Sequence, residues 1–123
     1  NEKIIIMTFP EIKDNSLYLN QKYYFEQLKS QLSKDLNNDD FDAQSNLVSF
    51  DKSELLPFLV QRFLEQVFDT NTNLFFQFMH RIDIPDVDMK TQISDSGIDF
   101  FGLTDLVLRR ELIKILIREK YSK

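Results

Sequence analysis

At about 100° per residue, the stretch 59–69, "LVQRFLEQVFD", splits into two sides. Leu59, Val60, Phe63, Leu64, Val67 and Phe68 cover about half the circumference, and Gln61, Arg62, Glu65, Gln66 and Asp69 take the rest. A helix sorted this sharply must bury one side against other helices, so it predicts a central element of a packed helical domain. Its start is signalled too. Asp51 followed by Glu54 has the form of a capping box, with Ser53 as the alternative cap. Either choice leaves Pro57 near the start of a helix over 53–68, where a missing N–H costs least.

Other segments read in the same terms. A helix over 16–36 places Leu17, Tyr18, Tyr24, Phe25, Leu28, Leu32 and Leu36 on one narrow stripe, from which Leu19 and Tyr23 stray. "LFFQFMHR" predicts a shorter helix over 73–81 with almost no solvent face. Thr104 caps a last helix over 105–120 whose broad apolar face runs from Leu106 to Ile117. Between these lie an extended arm over 1–15, an acidic loop over 37–50 and a long connection over 82–103. The chain has only two glycines and three prolines, too few for many tight hairpins. Its 123 residues suit a single domain. The expectation is therefore an all-α fold, a compact bundle of about four helices.

Composition removes several classes of function. Without cysteine there is no disulfide framework, thiolate cluster or cysteine nucleophile. A net charge of −5 argues against binding to phosphate backbones, which needs a basic footprint. The longest apolar runs, such as "IIIM" at 4–7, fall far short of the roughly eighteen residues that span a bilayer, so a soluble, cytoplasmic protein is expected. P-loop, dinucleotide-binding, nucleophile-elbow and zinc-protease motifs are missing, and no cofactor is expected.

Four constellations remain. "HRIDIPDVDM", 80–89, joins the single histidine to three aspartates, but a metal site wants more ligands from rigid elements. It is read as a helix end entering a loop, with His80 at the edge of the core. "DFDAQSNLVSFD", 40–51, spaces acids somewhat like a calcium loop, yet Ser45 stands where the sharp turn needs glycine. No metal is expected at either place. On the last helix, Arg110, Lys114 and Arg118 form a basic ridge backed by Arg109, Lys120 and Lys123, which an acidic surface of this chain, a second copy or another protein would complement. Arg109 falls within the predicted apolar face and needs a partner among Asp83, Asp86, Asp88, Asp95 and Asp99. Finally, six of twelve phenylalanines lie between Phe58 and Phe78, while Leu55 and Phe58 fall on the polar side of their helix and need covering.

These features favour a non-catalytic helical interaction module that self-associates or docks on a protein partner through Leu55, Phe58, Arg110, Lys114 and Arg118. The alternative is a small-molecule-binding or enzymatic domain whose pocket, between the phenylalanine helices and the 82–103 connection, uses His80, Arg109 and Asp83.

Overall fold

The computed structural model describes residues 14–94 and 96–121, so the arm expected over 1–15 lies outside the described residues except for Asp14 and Asn15. The class is all-α: the helices are α1 (Ser16–Leu19), α2 (Lys22–Leu36), α3 (Asp39–Ser45), α4 (Leu55–Thr70), α5 (Thr72–Ile82), α6 (Asp86–Gln92) and α7 (Phe100–Tyr121). A 3₁₀ turn, Phe50–Lys52, precedes α4. One two-stranded antiparallel ribbon, β1 (Ile93–Ser94) with β2 (Gly97–Ile98), precedes α7 and pairs Ile93 with Ile98. Gly97 has φ +128°, which a Cβ would strain.

Asparagines set the helix ends. Asn37 closes α2 in the left-handed region, and the next residue, Asn38, accepts a hydrogen bond from Phe41 N at 2.9 Å to open α3. Asn71 serves both neighbours: its N–H donates to Val67 O, ending α4, and its side chain accepts from Leu74 N to start α5. Asp83, with φ 71°, ends α5 in the left-handed region.

α7 packs against α2 and α4, and α5 packs against the same two helices. The shared core comes from Phe25, Leu28 and Leu32 of α2, Leu56, Val60 and Leu64 of α4, Phe75, Phe78 and Ile82 of α5, and Leu103, Leu112 and Ile115 of α7. Phe41, Phe63 and Phe78 form a chain of rings with centroids 5.2 and 5.7 Å apart, joining α3, α4 and α5. Ring pairs in this range add to burial by about 0.5–1.5 kcal/mol each.

The fold corrects five expectations. The helix over 16–36 breaks at Gln21, whose backbone is extended, so the stripe shifts phase and Leu19 is buried while Leu17 is 63% exposed. The acidic loop contains α3, because Asn38 caps it and Asp39, Asp40 and Asp42 lie in its first turn, where the helix dipole favours carboxylates. The connection 82–103 contains α6 and the ribbon. Thr104 does not cap α7: the helix starts at Phe100, and Asp99 accepts from Gly102 N at 3.0 Å. Neither Asp51 nor Ser53 makes the expected cap; Asp51 accepts from the Ser49 hydroxyl, and α4 starts without a side-chain cap bond.

Candidate functional site

The start of α1 and the first turns of α4 and α7 meet around a groove of about 230 Å³. Pro57 and Phe58 come from α4, Phe101, Thr104 and Leu108 from α7, and Asp14, Asn15 and Leu19 from the α1 end. Phe58 is 64% and Phe101 75% exposed, so both rings stand in water at the rim. Leu55 is exposed one turn before Phe58 on α4. Two large apolar side chains held open around an apolar cleft are what an interaction surface looks like before its partner arrives.

The polar groups are unusual. Asn15 Nδ2 donates to Asp105 Oδ1 at 2.8 Å, and Asp105 in turn pairs with Arg109, which fixes the amide. Asn15 Oδ1 and Thr104 Oγ1 are nevertheless buried without a hydrogen-bond partner among the described residues. A buried polar atom left unpaired costs roughly 1–3 kcal/mol, so a ligand that supplied a donor to Asn15 and either a donor or an acceptor to Thr104 would recover that cost. At the rim, hydrogen bonds from the Ser16 hydroxyl and amide hold the Asp14 carboxyl below its ordinary range.

The basic ridge is engaged within the fold. Arg110 pairs with Asp83 at 2.7 Å, Lys114 with Asp35 at 2.7 Å, and Arg118 donates to Gln31 Oε1 at 2.9 Å. Arg109 is paired, but with none of the five aspartates expected: its partner is Asp105, one turn earlier on α7, and Asp83 takes Arg110 instead. Its side chain is 35% exposed and does not sit in the apolar face as expected, because the buried face of α7 runs through Leu103, Val107, Leu108, Glu111, Leu112 and Ile115. Glu111 is the group that sequence reasoning missed. It is fully buried, and it stands four residues after Val107 and four before Ile115, a spacing that could have shown it.

Burial pushes the Glu111 carboxyl up to about 9, with the nearby Asp35 adding to the rise. Burial works in the same direction on Asp35, but hydrogen bonds from Glu111, Lys114 and Gln31 outweigh it and hold that carboxyl below its ordinary range. Lys114 Nζ bonds Asp35 and stays 3.3 Å from Glu111 Oε1. The carboxyl of Glu111, held protonated by burial, lies beside an ionised Asp35 that Lys114 neutralises.

A second cleft, of about 430 Å³, lies between α5 and α6 and holds Phe76, Met79, His80, Asp86 and Met89. His80 is exposed, so it is not a core-edge histidine. The structure does not gather His80, Arg109 and Asp83: Arg109 lines a separate, smaller cleft with Asp88 and Arg110, and Asp83 is bound to Arg110. Among the described residues no three His, Asp or Glu side chains are placed to hold a metal ion, and no helix is long and apolar enough to cross a membrane. Comparison with protein-family models, curated proteins and solved structures finds no match.

Proposed function

We propose that the chain is a non-catalytic helical interaction module, a bundle of four long helices that docks an apolar segment of a protein partner or of a second copy on the face of Leu55, Phe58 and Phe101. The observation that carries this reading is the exposure of Phe58 and Phe101 on either side of a groove with unpaired buried polar atoms. Covering both rings would contribute on the order of 2–4 kcal/mol, enough to matter at an interface. Arg110, Lys114 and Arg118 enter with a smaller part, because each already has a partner in the fold.

The test is sedimentation velocity over a wide concentration range, together with capture experiments in which each captured protein is re-tested as a purified pair. The baits are the wild type, Phe58→Asp, Phe101→Asp, Arg118→Glu and Leu47→Asp, the last an exposed leucine that does not line the groove. Self-association or partner binding lost with the two phenylalanine variants and kept with Leu47→Asp supports the reading. Identical behaviour of all five overturns it. A second reading, a small-molecule pocket, draws on the cleft beside His80, which is lined by Asp86 and Lys90 but not by Arg109 or Asp83.

A further inference from the structure

Helices α5 and α6 each turn three residues, at i, i+3, i+4 spacing, into the cleft of about 430 Å³ between them: Phe76, Met79 and His80 from α5, and Asp86, Met89 and Lys90 from α6. Both sets have a methionine in the middle and a polar residue last. Burial separates floor from rim. Met79 and Ile84 are buried and Met89 and Ile93 half-buried, whereas Phe76, His80, Asp86 and Lys90 are exposed. Methionine is flexible and polarisable, so a floor built on two of them adapts to varied apolar side chains.

The rim carries one charge of each sign. Asp86 precedes Lys90 by one turn, a spacing at which such residues commonly pair, yet neither side chain pairs with the other or with any other described residue. By contrast, Arg109 and Arg110, which line the smaller cleft, are held by Asp105 and Asp83. Side chains one turn apart leave the helix about 5–6 Å from each other. The ends of an extended dipeptide, at roughly 3.5 Å per residue, stand about 7 Å apart, whereas a free amino acid carries both charges on one carbon and spans less.

We propose that this cleft binds an apolar dipeptide, its ammonium on Asp86, its carboxylate on Lys90 and its side chains on the floor of Met79, Ile84, Met89 and Ile93. His80, on the facing helix, offers a ring nitrogen to the peptide group between the two ends. The proposal gives the small-molecule reading of this cleft its ligand. It is separate from the docking reading, because the cleft and the Phe58–Phe101 groove share no residue.

Calorimetric titration tests it with leucyl-phenylalanine in four forms: free, N-acetylated, C-amidated and capped at both ends. The proteins are the wild type, Asp86→Asn and Lys90→Gln; both residues are exposed, so the core is untouched, and circular dichroism checks that each variant folds. The free dipeptide should bind the wild type with a Kd of about 0.1–1 mM, and each cap should weaken it at least about threefold, the size of one partly solvated ion pair. Asp86→Asn should weaken the free and amidated forms but not the acetylated one. Lys90→Gln should weaken the free and acetylated forms but not the amidated one. Equal affinity for all four forms overturns the zwitterion and keeps an apolar pocket, whereas no binding of any form at about 10 mM overturns both. Cap effects that persist unchanged in the two variants overturn the assignment to Asp86 and Lys90. Methyl NMR locates the ligand: Met79 and Met89 should shift, and binding that moves neither overturns the site. None of these outcomes touches the docking reading, whose experiment uses other residues.

Discussion

Replacing Glu111 by glutamine should make the protein more stable at neutral pH, by an amount that grows as pH rises. The carboxyl titrates near 4.5 when free and is pushed up to about 9 in the fold, chiefly by burial. Between those values the native state holds a proton that the unfolded chain has released, so unfolding becomes easier as pH increases. The sign is opposite to that of an ion-paired acid: Asp35, held below its ordinary range, contributes stability at neutral pH that is lost on acidification. At pH 7, which is 2.5 pH units above 4.5, the cost assigned to Glu111 reaches about 3 kcal/mol at roughly 1.4 kcal/mol per unit; at pH 5 it is under about 1 kcal/mol. Glutamine keeps the shape and can still donate to Asp35, but it needs no proton from solvent. Urea unfolding of both proteins at pH 5, 7 and 8.5 measures the effect, and the difference between them isolates Glu111 from every other titrating group. The variant should match the wild type at pH 5 within about 1 kcal/mol, gain roughly 1–3 kcal/mol at pH 7 and gain more at pH 8.5. Parallel stability curves across that range would refute a neutral, buried Glu111.

Lys114→Met should cost about 2–4 kcal/mol at neutral pH, because it leaves the Asp35 carboxylate nearly buried without its cation; unfolding in urea reads it, and a loss under 1 kcal/mol would contradict the pairing. Arg110→Ala, which breaks a pair with an exposed Asp83, should cost no more than about 1 kcal/mol in the same assay. Phe63→Ala removes the middle ring of the Phe41–Phe63–Phe78 chain and should lower stability by about 3–5 kcal/mol, a drop of many degrees in melting temperature. Asn71→Ala should cost about 1 kcal/mol, since its side chain caps α5, whereas Asn73→Ala, an exposed residue within that helix, should change stability little.

The elements legible in the sequence were those whose apolar period ran uninterrupted. The sorted wheel of 59–69 is the buried face of α4, because a 3.6-residue period leaves little freedom once one side must be buried; "LFFQFMHR" lies within α5, but that helix has the solvent face that its apolar density argued against, with Phe76, Gln77, His80 and Arg81 exposed. Short helices held by their ends were not legible. In α3 and α6 the acids that resemble a loop are first-turn residues placed at the positive end of the helix dipole, and Pro85 stands just ahead of α6. The start of α7 was misplaced for a similar reason: Gly102 resembles a helix stop, yet it is the third residue of a helix capped by Asp99. That displacement hid Phe101. Leu55 and Phe58 were readable as apolar residues on the wrong side of α4, but the ring across the groove from them lay in what read as a connection.

The polar seam and the groove are two consequences of one choice, the rotation of α7. A leucine at 111 would pack well enough, since Val107, Leu108 and Ile115 surround that position on the helix. With an acid there, the observed rotation places Glu111 and Lys114 beside Asp35 of α2, so that the nearly buried Asp35 carboxylate keeps its cation. A slip of one turn would strand all three groups, so the seam fixes α7 against α2 more tightly than interchangeable leucines could. The same rotation carries Thr104 and Asp105, two turns earlier, to the mouth of the groove, where Asp105 holds Asn15 and the Thr104 hydroxyl has no hydrogen-bond partner among the described residues. On this hypothesis the stability penalty of a buried acid is the cost of orienting the binding face. If Lys114→Met unfolds the protein no more easily yet leaves groove binding unchanged, the seam has no such part.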